Sequence, residues 1–339
     1  MRTGTVGIDV GGTHVRAGAV VGGRVLEVAR RTHDVPGGGN ALSYESLLDA
    51  IETTVNELAD RHDVASLGIS MAGTLSADRT TVISNAHRAW EGKTLPADLA
   101  SRTGLPVRME NDGNCAAWAE YISGSGVGWD PFVMLTLGTG VGGGSVANGQ
   151  LVLGRHGIAG ELGHICIVEP DGFLCDCGAY GCLEQYASGR SMINRFAAGP
   201  EGSWRGAADW PFSGRPAELR TAEALLSAKL AAHDPWALRV IRDAGRSIGA
   251  GIAGLTRVLD LGKVAIGGGA SVLGVPLLDA IRAGVADYPG LPTRRLNVQV
   301  ASAHHGEHAG LVGAALLADN ITVDSTTRDL LADVTADIP

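Results

Sequence analysis

Residues 5–21 read TVGIDVGGTHVRAGAVV, and residues 132–147 read FVMLTLGTGVGGGSVA. Each is an apolar, β-forming run that breaks into glycines and then resumes, the pattern of two strands joined at a glycine bend. The first bend holds Asp9-Val10-Gly11-Gly12-Thr13, and the second runs from Gly138-Thr139-Gly140 on to Gly144. A strand, glycine turn and strand occurring twice in 339 residues predicts a chain built from two similar α/β halves.

Working outward, Leu47, Leu48, Ile51, Val55 and Leu58 fall at helical spacing within residues 44–59, which predicts a crossover helix to a parallel strand. Residues 67–71 and 107–109 read as parallel strands, and 115–121 as a helix after the second. In the later half, helical patterns at 221–232 and 235–258 precede a strand at 264–266 that ends in Gly267-Gly268-Gly269. Residues 310–318 form an apolar helix expected to pack back on the first half. The expected domains are therefore 1–122 with a closing helix at 310–325, and 123–309. Residues 199–216, rich in Gly, Pro, Ser and Trp, read as a surface loop, and the Thr- and Asp-rich end as a loosely held tail.

Composition narrows the class of function. With 27 basic and 36 acidic side chains the net charge is −9, which argues against nucleic acid or an anionic membrane as partner. Hydrophobic residues make up 45% and aromatics 4%, enough for an aliphatic core. Glycine, at 50 residues, is about twice its usual share of roughly 7%. It follows no three-residue period, which excludes collagen, and its clustering at strand ends points to backbone brought close to a ligand. The first dozen residues are too weakly apolar for a signal peptide, and no run reaches the ~20 apolar residues of a membrane span. A cytoplasmic protein with reduced thiols is the expectation.

Three glycine turns could hold a nucleotide. Asp9, Gly11, Gly12 and Thr13 place amides and a hydroxyl beside a carboxylate, a set that can cradle phosphate oxygens while Asp9 holds hydrated Mg²⁺. A plain hairpin turn accounts for the same residues. Gly138, Thr139 and Gly140 offer a second cradle; the G-x-G-x-x-G spacing at 138–143 lacks the helix that the dinucleotide fingerprint opens, and G-x-x-x-x-G-K-S/T is missing from the sequence. Gly267, Gly268 and Gly269 could face an adenine ring, although close strand-to-helix packing also explains them. Three such turns in two similar halves suggest a nucleotide held between domains.

Beside them, His164 with Cys175, Cys177 and Cys182 supplies one imidazole and three thiolates, a closed tetrahedral set for structural zinc. Reduced thiols packed in a loop are the alternative, and Cys115 reads as an ordinary core residue. With one ring nitrogen of His164 on zinc, the other carries hydrogen and can donate to a ligand hydroxyl. Glu161 and Glu184 bracket the cluster and could accept from vicinal hydroxyls, which describes a carbohydrate or polyol site; a solvated surface is their ordinary fate. Asn111-Asp112-Gly113-Asn114 follows a parallel strand, and phosphoryl transfer to an alcohol needs a carboxylate there, for which Asp112 is the candidate. Helix N-capping by Asn111 or Asp112 competes with that role.

Together these motifs resemble the ROK family (repressor, open reading frame, kinase) of sugar kinases, within the actin-like ATPase superfamily. Residues 9–13 and 138–144 resemble its two phosphate motifs, and 154–164 its signature ending in E-x-G-H. Residues 175–184 match C-x-C-G-x-x-G-C-x-E at every fixed position, 267–269 resemble the adenosine motif, and 309–315 the closing helix. The resemblance implies two ribonuclease-H-like domains with ATP and sugar in an interdomain cleft, and transfer of the γ-phosphoryl group of Mg-ATP to a sugar hydroxyl, usually at carbon six. It implies Asp112 as base, Asn111, Glu161, His164 and Glu184 on the sugar with Gly73 and Asn85 nearby, and Asp9 on Mg²⁺ and phosphates. A homo-oligomer, dimer or tetramer, is implied as well.

Met71-Ala72-Gly73-Thr74 replaces the Pro-Gly turn common in the family's glucokinases, and Asn85-Ala86-His87-Arg88-Ala89-Trp90 varies the usual N-x-x-x-W stretch. Substrate therefore stays open among glucose, an amino or N-acetylated sugar, and a C7-cyclitol. A repressor of the family would carry a DNA-binding helical domain ahead of the first phosphate motif, which here begins at residue 9. A sugar-binding module without catalysis is disfavoured by Asp112 and the three glycine turns.

Overall fold

The computed structural model describes residues 4–11, 14–32, 43–85, 88–168, 171–202, 204, 216–288 and 297–322. These form two compact units. The first gathers the described residues up to Gly124, Leu153–Ala159 and those from His308 onward; the second holds Ser125–Val152 and Gly160–Glu307. The return of 153–159 to the first unit departs from the continuous second domain expected from sequence. Residues 12–13 and 87, most of the 199–216 loop and the tail lie outside the described residues.

The first unit runs β1 (Gly4–Val10), β2 (His14–Val21), β3 (Arg24–Thr32), α1 (Tyr44–Ala59), β4 (Val64–Met71), the short pair β5 (Thr74–Leu75) and β6 (Val82–Ser84), α2 (Leu95–Thr103), β7 (Val107–Asn111) and α3 (Asp112–Ser123). Its sheet is ordered β3-β2-β1-β4-β7, with the first three strands antiparallel and β4 and β7 parallel to β1. Helix α1 starts at Ser43, whose hydroxyl accepts from the Ser46 amide at 3.1 Å, and it buries the stripe read from sequence: Leu47, Leu48, Ile51, Val55 and Leu58. Strand β1 is buried on both faces, as a central strand covered by helices on each side must be.

The second unit runs β8 (Phe132–Leu137), β9 (Val141–Ala147), β10 (Gln150–Leu151), α4 (Glu184–Ala187), α5 (Gly189–Ala198), α6 (Pro216–Ala231), α7 (Pro235–Leu259), β11 (Lys263–Gly267), α8 (Gly274–Asp287) and β12 (Gln299–Ser302). Its sheet, β10-β9-β8-β11-β12, repeats the first: three antiparallel strands, then two running parallel to β8. Two α/β halves of one topology are thus present. Strand β9 begins at Val141, so Gly142, Gly143 and Gly144 lie inside it instead of leading up to it. Helix α7 opens at Asp234, whose carboxylate accepts from the Trp236 and Ala237 amides, both at 3.0 Å. It packs Val240, Ile241, Ala244, Ile248 and Ile252 into the core of this unit. Residues Gly269–Asp287 are long and apolar enough to cross a membrane, contrary to the sequence expectation, but Leu277, Ile281 and Val285 of this stretch enter the same core.

The last described helix, α9 (Ala309–Thr322), belongs to the first unit, where it packs on β1, β4 and α3. Gly7 and Gly68 face each other in register across β1 and β4. A Cβ on Gly7 would stand 1.8 Å from the Leu311 carbonyl oxygen, and one on Gly68 1.9 Å from that of Ala314. Helix backbone therefore rests directly on sheet backbone, which only glycine permits.

Gly68→Ala should accordingly lower stability by about 1–3 kcal/mol or more. Gly254→Ala, on an exposed turn of α7 where nothing lies within 4 Å, should raise it by about 0.5–1 kcal/mol. Urea denaturation measures both, and an unchanged midpoint in Gly68→Ala would overturn the close-packing account.

Candidate active site

In the first unit the glycine turn closes β1 onto β2, with the Gly11 amide donating to the His14 carbonyl at 3.0 Å. Gly12 and Thr13 lie outside the described residues. Asp9 pairs in register with Arg16 on β2 and with Ser70 on β4. Arg16 Nη2 donates to Asp9 Oδ2 at 2.6 Å, and Ser70 Oγ donates to Asp9 Oδ1 at 3.3 Å. The carboxylate is thus fixed between a cation and a hydroxyl at the carboxyl ends of parallel strands, where open α/β sheets collect ligands. Arg16 and Ser70 were not singled out from sequence. For Arg16 the hairpin register was the available signal, because residues directly opposite on antiparallel strands share a face.

At the end of β7, Asn111 is the N-cap of α3: its Oδ1 accepts from the Gly113 amide at 2.9 Å and the Asn114 amide at 3.2 Å. Capping therefore falls to Asn111. Asp112, the first helical residue, is exposed, and its Oδ1 accepts from the Gly113 amide at 2.9 Å. Asn111 Nδ2 donates to the Gly73 carbonyl at 3.1 Å. Gly73 has φ of 118°, and a Cβ there would stand 2.3 Å from the Ser84 carbonyl oxygen, so only glycine fits between β4 and β6. Asn85 Nδ2 donates to the Ala72 carbonyl next to it. Gly73, Asn85, Asn111 and Asp112 are thereby brought together in one unit. Cys115, one turn along α3, is fully buried, and burial pushes its thiol well above the usual range.

In the second unit the two remaining glycine turns lie side by side. Strands β8 and β11 pair through Leu135–Ile266 and Thr136–Gly267, so the turns that follow them are neighbours. Gly138 donates its amide to the Gly140 carbonyl at 2.9 Å and accepts at its own carbonyl from the Gly189 amide, the first residue of α5, at 2.8 Å. Thr139 is exposed at the tip, and Gly269 borders open space. Gly268 packs its backbone against Leu137. Glu184, expected on the sugar, has Oε2 accepting from the Val141 amide at 2.9 Å, so one of its oxygens braces the second glycine turn.

The ligand atoms of His164, Cys175, Cys177 and Cys182 all lie within 4.8 Å of one another. Cys175 Sγ is 3.5 Å from His164 Nδ1, and Cys177 Sγ is 3.6 Å from Cys182 Sγ. Around zinc with bonds of about 2.0–2.3 Å, the edges of a tetrahedron measure about 3.5–3.8 Å, so the set fits that ion. Burial, followed by the neighbouring thiols, pushes Cys182 to about 12, and burial also raises Cys175, whereas the Ala179 amide holds Cys177 below its ordinary value. A metal must displace those protons. With Nδ1 turned to the cluster, Nε2 of His164 faces Glu161, whose Oε2 is 4.0 Å away.

Paired sheets of one topology, each with a glycine turn between its first antiparallel strand pair and an acidic or hydroxyl group beside it, define the actin-like ATPase class. A family model described as ROK family matches residues 5–321. The glucokinase of Streptomyces coelicolor is 37% identical over 318 residues, 93% of this chain and 97% of that one. The N-acetylmannosamine kinase of Yersinia pseudotuberculosis is 32% identical over 312 residues, covering 92% and 97%. Among solved structures, a ROK family glucokinase from Streptomyces griseus in complex with glucose and AMPPNP is 36% identical with a TM-score of 0.74, covering 94% of this chain and 99% of that one. The chain belongs to the ROK family, and it is an ATP-dependent sugar kinase.

If the cluster holds zinc, elemental analysis should give about one zinc per chain, and Cys177→Ser should lower that content. Zinc should be lost as the pH falls, since protons compete for thiolates, and a chelator-based release assay follows the loss. Metal-free protein of normal stability would remove the assignment.

Proposed function

We propose that the chain transfers the γ-phosphoryl group of Mg-ATP to a hexose hydroxyl, with glucose and its primary 6-hydroxyl as first candidates. The observation that carries this reading is Asp112. Its exposed carboxylate stands at the first turn of α3, and the neighbouring Asn111 is tied by both ends of its amide to that helix and to Gly73. In the reaction the sugar oxygen forms a bond to the γ-phosphorus, the bond to the β,γ-bridging oxygen breaks, ADP leaves with that electron pair, and the hydroxyl proton passes to Asp112. Asn111, Gly73, Asn85, Glu161, His164 and Glu184 are the residues assigned to the other sugar hydroxyls.

Asp9, fixed by Arg16 and Ser70, serves the phosphates and the hydrated magnesium. When bound, Mg²⁺ draws charge from the β- and γ-phosphates. Gly138, Thr139 and Gly140 approach the phosphates, and Gly267, Gly268 and Gly269 the adenosine. His164 and the three cysteines would hold zinc, which when bound would supply no chemistry of its own; with Nδ1 on the metal, His164 would keep its proton on Nε2 and donate it to a sugar hydroxyl. The glucose complex of the Streptomyces griseus relative supports glucose, and the Yersinia relative supports an amino sugar as the second reading.

Asp112→Asn should lower kcat by about 10²–10⁴-fold while sugar binding, followed by calorimetry, persists. Retained turnover would eliminate the base assignment. A coupled ADP-release screen over glucose, mannose, glucosamine, N-acetylmannosamine and a C7-cyclitol decides the acceptor. Turnover is expected with at least one of them, and silence on all would return the non-catalytic reading.

A further inference from the structure

Directly behind the Asn111–Asp112 turn lies an ion pair that the reaction does not use. Arg79, in the segment joining β5 to β6, donates from Nε to Glu110 Oε2 at 2.9 Å, and the two side chains are 9% and 6% exposed. Arg79 Nη1 donates to the Ser76 carbonyl at 3.2 Å and to the Gly157 carbonyl at 2.9 Å. Glu110 Oε1 accepts from the Asn111 amide at 2.9 Å and from Asn114 Nδ2 at 3.0 Å. Three stretches of the first unit thus meet on one guanidinium: the β5–β6 segment, the end of β7 with the start of α3, and the returning segment 153–159.

Two features argue that this knot serves more than stability. A buried ion pair is generally no more stabilising than apolar groups of the same shape, because both charges lose their hydration. Its backbone and donor set are also unfavourable: Arg79 has φ of 60°, a region that residues with a Cβ rarely adopt, and its buried Nη2 finds no hydrogen-bond partner among the described residues. Structure of that kind persists where neighbouring elements must be held in one arrangement. Here the neighbours are the turn carrying Asp112, and a segment that ends two residues before Glu161.

We propose that Arg79 is a positioning residue for the acceptor site: through Glu110 it sets the Asn111–Asp112 turn, and through the Gly157 carbonyl it holds segment 153–159 of the same unit against the β5–β6 segment. The proposal rests on Asp112 as base and on Asn111 as a sugar ligand. Lysine can keep the ion pair but not the whole set of contacts, since a single ammonium cannot reproduce the planar fork that reaches Glu110, Ser76 and Gly157 together.

The test is full-chain kinetics with glucose, or whichever acceptor the screen returns, on Arg79→Met, Arg79→Lys, Glu110→Gln and the double variant Arg79→Met/Glu110→Gln. Circular dichroism and thermal melting report the folded fraction. Per folded chain, Arg79→Met should lose about 10- to 100-fold in kcat and raise the sugar KM, with the MgATP KM within about twofold of wild type. Arg79→Lys should regain much of kcat through the ion pair yet keep a raised sugar KM, because the Gly157 contact is lost. The double variant should recover part of the kcat lost in Arg79→Met, since no buried charge is left alone. Wild-type kcat and sugar KM in Arg79→Met, with only a lower melting temperature, would reduce the pair to a structural role. Should Arg79→Met fail to fold, wild-type values of both constants in Arg79→Lys overturn the proposal equally. Asp112→Asn separates the two levels: if it stays active, the base assignment is wrong whatever Arg79 does, whereas an inactive Asp112→Asn beside a kinetically normal Arg79→Met defeats only the positioning role.

Discussion

The contact on which the first unit depends is backbone against backbone, where α9 lies on β1 and β4 at Gly7 and Gly68. Gly7 and Gly68 make that approach possible, and at its near end Gly310 does the same beside the site, where a Cβ would stand 3.2 Å from Asp9 Oδ1 and 2.9 Å from Ser70 Oγ. The packing that closes the core therefore also brings the first turn of α9 up to the Asp9 carboxylate. The positive end of a helix dipole favours an anionic group at that place. A shift of α9 to make room for one methyl group would move the chemistry as well as the core.

The second unit solves a different problem. Its glycine turn at 138–140 has few side chains to hold it and is stiffened from outside: the Glu184 carboxylate accepts from the Val141 amide, and the Gly189 amide donates to the Gly138 carbonyl. Glu184 stands two residues after Cys182, so the thiol cluster and the 138–140 turn are linked by one short stretch of chain. A metal held by that cluster would restrain the turn through this stretch. The Glu184 carboxylate braces the turn with Oε2, which leaves Oε1 as the oxygen for the proposed sugar contact.

Much of this was legible in the sequence wherever a local pattern determines a local structure. The stripe of α1, the strand–turn–strand repeat, the turn at Asn111–Asp112 and the Cys–His set all follow from spacing within a score of residues. What escaped was set by partners far along the chain. Strand β3 went unread because it is an edge strand whose Glu27, Arg30 and Arg31 interrupt its apolar run, while Leu26 and Val28 stay exposed. Arg79 and Glu110 are 31 residues apart, and nothing in either neighbourhood indicates that they meet. The return of 153–159 to the first unit is likewise visible only in contacts. The clustering of glycine at strand ends points to ligand turns, but it gives no sign that Gly7, Gly68, Gly245, Gly249 and Gly284 serve helix packing.

The place of α9 in the chain has a consequence for biosynthesis. The face of β1 and β4 that it covers is made about 250–300 residues before the helix that covers it, a separation at the slow extreme for a native contact. A nascent chain can complete the second unit's sheet and the α7–α8 pair while the first unit still shows a bare glycine-floored groove. The two halves of one topology thus differ in how much of the chain each needs before its core can close. During that interval the open groove is the part of the molecule most in need of shielding from other chains.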